Sequence, residues 1–74
     1  MRKEMTNTIY IRTSGAVMTI GVSYPDKRYY WDFDLMNKKQ EQKALFRTII
    51  RSHKDWPINI MYEDFRKVRS WFDK

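Results

Sequence analysis

Residues 28–51 read RYYWDFDLMNKKQEQKALFRTIIR, and the spacing of the apolar side chains changes within this stretch. Before Asn37, large apolar residues recur at every second position, which is the spacing of a β-strand with one buried face. After Asn37 they recur at intervals of three and four, the spacing of an amphipathic helix. The strand residues are Tyr29, Trp31, Phe33 and Leu35, and the helix residues are Leu45, Phe46, Ile49 and Ile50. The stretch therefore predicts a strand followed directly by a helix.

Two upstream segments, at residues 8–13 and 16–24, also alternate in hydropathy. The Ser-Gly pair at 14–15 is a turn signal between them, and the Pro-Asp-Lys sequence at 25–27 predicts a turn before the third strand. Short turns connect antiparallel neighbours, so the three strands are expected to form a meander. Gly21, inside the second strand, indicates a bulge. One face of this sheet would supply the core, and it carries Ile9, Met18, Ile20, Trp31 and Phe33.

Two helices are predicted after the meander. The first runs from residue 38 to about residue 54, with Asn37 as its N-cap and Gln40 completing a capping box. The segment DWPINI at 55–60 ends it, because Pro57 has no amide hydrogen to donate. Asn59 would then cap a second helix. Its apolar stripe is Met61, Phe65, Val68 and Phe72, with Trp71 beside it.

The predicted fold class is α+β, a three-stranded antiparallel meander followed by two helices packed on one face, in the order β-β-β-α-α. A chain of 74 residues is one small domain, 1–74, whose polar residues 1–7 are expected to be flexible. It contains no cysteine and one histidine, which argues against disulfides and structural zinc. We find no bilayer-length apolar run and no signal-peptide apolar region, so we expect a cytoplasmic protein without membrane contacts.

The charge of the chain favours anionic partners. Fifteen Lys and Arg residues against nine Asp and Glu give a net charge of +6. Bases recur at every fourth position of the predicted first helix and stay on one broad face: Lys39, Lys43, Arg47 and Arg51, extended by Lys54. Glu41 is the only acid between Lys38 and Lys54, so the repulsion between like charges one turn apart has little compensation. This pattern favours a phosphate-binding surface, and the alternative is a solvated face that keeps the chain soluble.

The face of the sheet opposite the predicted core is a second candidate surface. It carries Tyr10, Arg12, Arg28 and Tyr30, together with Thr19. Aromatic residues interleaved with bases can stack nucleobases and hold phosphates, although both residue types are also common on exposed strands. Asp32 and Asp34 share this face and weigh against nucleic acid. They would pair across strands with Arg12 or Arg28.

The sequence does not predict an enzyme. His53 has no second histidine, clustered carboxylate pair or nucleophile beside it, and we expect it to lie partly buried against Trp56 at the end of the first helix. Asp32 and Asp34 alone do not make a metal site. No cofactor is predicted.

Two functions remain open at this stage. The first is a small, basic, non-catalytic nucleic-acid-binding protein that contacts DNA or RNA phosphates through the first helix. The second is an inhibitor or adaptor of the kind found in phages and mobile elements, which binds an acidic protein through a basic, aromatic surface. Trp71 and Phe72 belong either to the core or to an interface such as a homodimer contact.

Overall fold

A computed structural model describes residues 7–37 and 39–72. The residues it describes form an α+β fold with a mixed four-stranded sheet and two helices. The elements are β1 (Thr8–Ser14), β2 (Val17–Ser23), β3 (Arg28–Asp34), α1 (Gln40–Ser52), β4 (Ile58–Ile60) and α2 (Tyr62–Phe72). The predicted flexible residues 1–6 and the predicted helix start at Lys38 lie outside the described part of the chain. Asn7, the last residue of that predicted segment, directly precedes β1.

The three-stranded meander is confirmed. β1 pairs with β2 and β2 with β3, both antiparallel. Gly15 opens the first turn at φ 61°, a left-handed conformation that glycine adopts without steric cost. In the second turn the Tyr24 amide donates to the Lys27 carbonyl at 2.8 Å. The predicted bulge at Gly21 is wrong, because the register runs without interruption through Tyr10, Gly21 and Tyr30.

A fourth strand, β4, corrects the prediction for the segment after α1. β4 lies parallel to β1, with Ile58 opposite Ile9 and Ile60 opposite Ile11. The Ile9 amide also donates to the Pro57 carbonyl at 2.9 Å. The physical reason is that β1 would otherwise present unpaired amide and carbonyl groups along its free edge. Asn59 is therefore a strand residue rather than a helix cap, and α2 begins at Tyr62.

The strand order β3-β2-β1-β4 determines where the first helix lies. β3 and β4 occupy opposite edges of the sheet, and both run parallel to β1. The connection between them, which contains α1, must therefore cross the sheet over β2 and β1. The core cluster contains residues of the sheet, α1 and α2 together, so both helices cover the same face, as predicted. We call this the inner face and the opposite one the outer face.

The predicted cap of α1 is wrong. Lys39 occupies the N-cap position with extended backbone and no side-chain hydrogen bond, and Asn37 lies two residues earlier. Gln42, in the first turn, holds the connection instead. Its Nε2 donates to the Asn37 carbonyl at 2.6 Å, and its Oε1 accepts from the Asp34 amide at 3.1 Å. The side chain of one helical residue thus replaces the expected capping box.

The buried residues confirm the predicted core face of the sheet, but on α2 they differ from the predicted apolar stripe. Trp31 is only partly buried, although it packs against the core. On α2, Val68 and Trp71 are buried, whereas the predicted stripe residues Met61 and Phe65 are exposed. The buried apolar residues are Ile9, Ile11, Met18, Ile20, Val22, Phe33, Phe46, Ile49, Val68 and Trp71.

Trp71, on α2, joins the sheet and both helices in one core. Its ring lies 5.6 Å from that of Phe33 on β3 and 5.7 Å from that of Phe46 on α1, measured between centroids. Phe33 and Phe46 also meet edge to face at 6.1 Å. Trp71 is fully buried and Phe72 partly buried, so both pack in the core region and Trp71 is not available for a homodimer contact.

We predict that Trp71→Ala is among the most destabilising single changes. Truncating a buried Trp costs about 3–5 kcal/mol, while a chain of this size has a total stability of about 4–11 kcal/mol. Urea unfolding followed by circular dichroism would measure the loss. Trp31→Ala should cost clearly less, and Tyr62→Ala, at a residue 74% exposed, should change stability by no more than about 0.5 kcal/mol. Equal losses for Trp71 and Trp31 would contradict this description of the core.

Candidate functional site

The α1 basic stripe comprises Lys39, Lys43, Arg47, Arg51 and Lys54. Lys39 precedes the first turn, the next three lie within the helix, and Lys54 follows its end. With 3.6 residues per turn, the three helical bases lie on one flank of the buried face formed by Phe46 and Ile49. Glu41 falls on the other flank. The helix thus separates its bases from its acid.

Burial differs along the α1 basic stripe. Lys39, Arg51 and Lys54 are exposed, whereas Lys43 and Arg47 are half-buried. Half-burial of a long basic side chain covers apolar surface with its stem, and at Arg47 it also buries the Nε atom of the guanidinium group. The stripe therefore lies directly beside the packed part of the molecule.

At one end the α1 basic stripe meets the C-terminal end of α2. Arg47 and Arg51 line a cavity of about 150 Å³ there. The other lining residues are apolar or aromatic: Phe46, Ile50, Trp71 and Phe72. We call this the α1–α2 pocket. Only two of the predicted site residues lie at it.

The predicted outer-face residues come together separately. Tyr10, Arg12, Arg28 and Tyr30 line one open depression. Arg12 lies 5.9 Å from the centroid of the Tyr10 ring and donates to the Asn59 carbonyl at 3.4 Å. This set lies on the outer face and α1 on the inner face. The predicted site residues thus form two surfaces on opposite sides of the sheet.

Gly21 shapes the depression on the outer face. A Cβ atom at this position would lie 2.9 Å from Cε1 of Tyr30, which is too close for an undisturbed ring. The absence of a side chain on Gly21 therefore lets the Tyr30 ring lean over β2 toward Tyr10. Tyr30 still remains 64% exposed.

The two outer-face carboxylates have local partners. Asp32 accepts a hydrogen bond from the Thr19 hydroxyl at 2.7 Å, and Asp34 accepts from the Met36 amide at 2.9 Å. These contacts differ from the predicted pairs with Arg12 or Arg28. Both carboxylates are on exposed residues, so they still place negative charge on this face.

His53 lies against Trp56, as predicted, with 4.6 Å between the ring centroids. Its Nδ1 lies 2.7 Å from the Ile49 carbonyl, and its Nε2 lies 2.7 Å from the Tyr24 hydroxyl. A carbonyl oxygen can only accept, so Nδ1 donates, and the Nε2 of the neutral ring accepts from Tyr24. The Nδ1 contact thus stays within the end of α1, and the Nε2 contact joins that end to the β2–β3 turn.

Comparisons with known proteins give no match: no family model, no curated protein and no solved structure is significantly similar to this chain. Within the described residues, no helix is long and apolar enough to cross a membrane. Its function therefore has to be inferred from its own geometry.

Sequence reasoning missed the apolar part of the α1–α2 pocket. Phe46 and Ile50 are each followed by an arginine, so four of the six lining residues lie within the sequence FRTIIR at 46–51. Trp71 and Phe72 complete the pocket, and they come from a helix about twenty residues away in sequence. The residue pattern of α1 alone cannot show that the C-terminal end of α2 packs beside it.

We predict that Tyr24→Phe destabilises the chain by about 0.5–1.5 kcal/mol, because His53 Nε2 loses its donor in a partly buried site. Urea unfolding measures this effect. Tyr30→Phe is the matched control, since the Tyr30 side chain is mostly exposed. Long-range nitrogen-proton NMR of the neutral imidazole should show the proton on Nδ1. Equal stability of both variants, or a proton on Nε2, would contradict the assigned hydrogen bonds.

Proposed function

We propose that this chain is a small, non-catalytic nucleic-acid-binding protein that contacts phosphates through the α1 basic stripe. The observation that carries the proposal is the segregation of charge on α1. Lys43, Arg47 and Arg51 share one flank at intervals of roughly 6 Å along the helix axis. A nucleic acid strand presents phosphates in a regular row, and neutralising them releases counterions.

The energetics of the helix support the same proposal. Like charges one turn apart destabilise a helix by a few tenths of a kcal/mol per pair. Interleaved acids would remove this cost, yet Glu41, the acid of the first turn, lies on the opposite flank. A polyanion bound along the stripe would compensate the repulsion.

An acidic protein is the second candidate partner, as for an inhibitor or adaptor of phage or mobile-element type. The outer face favours it, because Tyr10, Arg12, Arg28 and Tyr30 line one depression there, and tyrosine and arginine are frequent anchors of protein interfaces. The two candidates predict different salt dependence and different ligands.

We predict that the double change Lys39→Gln and Lys43→Gln weakens binding to all nucleic acid sequences similarly. The slope of log K against log salt should decrease by about two units, roughly one per base removed. Fluorescence anisotropy with labelled duplex and single-stranded oligonucleotides at several salt concentrations measures both quantities. Thermal stability should stay the same or rise slightly, since repulsion between the two lysines is relieved.

Arg66→Gln with Lys67→Gln is the charge-matched control, since both residues are exposed on α2 beside Glu63. This control removes the same charge and should reduce the slope by clearly less. If both double changes reduced the slope equally, binding would depend on the net charge of the chain and not on the position of the α1 basic stripe. Absence of nucleic acid binding by the wild-type chain at low salt would overturn the proposal and leave the acidic protein as the candidate.

A further inference from the structure

The α1–α2 pocket has the size of a single six-membered ring. An apolar cavity of roughly 150 Å³ is known to accept benzene, and this pocket has a volume of about 150 Å³. Ile50 and the rings of Phe46 and Phe72 form much of its lining. This volume suits a flat single ring better than the two fused rings of a purine.

Phe72 offers the aromatic surface that a ligand can reach at this pocket. Its ring is half-buried, whereas the other two rings of the lining, Phe46 and Trp71, are fully buried. The Trp71 Nε1 is buried as well, so it supplies no donor to a ligand. Aromatic rings at a surface stack nucleobases in single-strand-binding proteins, in addition to contacts with phosphates.

Cations flank the same space. Arg47 and Arg51 contribute to the lining, and they are also the C-terminal helical members of the α1 basic stripe. A ring entering the pocket would therefore bring any attached anionic group against two guanidinium groups. Guanidinium groups pair well with phosphate oxygens because they offer several donors in one plane.

We infer that the α1–α2 pocket binds one unpaired pyrimidine base, with its neighbouring phosphates on Arg47 and Arg51. This inference rests on the proposed function and names its substrate class as single-stranded nucleic acid. A base within a duplex is stacked and paired, and it must leave the helix before it can enter a pocket. The base would stack against the Phe72 ring, a contact that does not depend on salt.

The test compares two ligands of equal charge. One is an oligothymidylate of about eight nucleotides, within the site size of small single-strand-binding modules, and the other is an abasic strand of the same length. We expect the wild-type chain to bind the thymidylate about tenfold more tightly, with the same salt slope for both ligands. The side-chain resonances of Phe72 should shift with the thymidylate and not with the abasic strand.

Ile50→Phe fills the pocket without changing charge. It should abolish the tenfold difference and leave binding of the abasic strand unchanged. Leu45→Phe is the matched control, because Leu45 lies on the other flank of α1 and is exposed; it should keep the difference. Phe72→Leu provides a second variant that removes the ring, and circular dichroism confirms the folding of each.

Equal affinity of the wild-type chain for thymidylate and the abasic strand would overturn the pocket inference while leaving phosphate binding by the α1 basic stripe intact. Loss of binding to both ligands at low salt would overturn the inference and the proposed function together. A competing acidic peptide with one phenylalanine, bound by the wild-type chain and not by Ile50→Phe, would assign the pocket to a protein side chain and also overturn the inference.

Discussion

The contact of Trp71 with Phe33 and Phe46 holds the sheet and both helices in one core. α2 has eleven residues, too few for a stable helix in isolation. Its position therefore depends on burying Trp71 and Val68 against the rest of the chain. The same contact places the end of α2 beside the basic flank of α1. The α1–α2 pocket exists because of that placement, so stability and the candidate site share one set of aromatic residues.

Tryptophan is a costly choice for this central position. Its indole N–H lies buried without an acceptor in the described part of the chain, and an aromatic residue without a polar atom would avoid the desolvation cost. A small chain buries a smaller fraction of its surface on folding, so its net free energy of unfolding is low. A conflict of this kind between local chemistry and core packing is expected more often at functional sites than elsewhere. The position of the indole at the pocket is consistent with that expectation.

Local patterns in the sequence predicted the parts of the fold that depend on neighbouring residues. The alternation at residues 28–35 and the helical spacing after Asn37 determined which face of each element is buried. β4 was missed because three residues are too few to show a period, and its partner β1 lies some fifty residues away. The buried face of α2 was also misplaced, since its apolar residues cover a wide arc and only packing decides that Trp71 rather than Phe65 faces inward.

The same distinction applies to the two candidate surfaces. The residues that form each surface could be predicted, because they follow the period of a helix or of a strand. The separation of the two surfaces on opposite sides of the sheet could not, because it depends on the path of α1 across the sheet. The outer face mixes Arg12 and Arg28 with Asp32 and Asp34, so opposite charges lie close together and the field toward a polyanion is weakened. On α1 the bases share one flank that Glu41 does not reach. The α1 basic stripe is therefore the stronger candidate for phosphate, and the outer face is better suited to contacts that depend on its tyrosines.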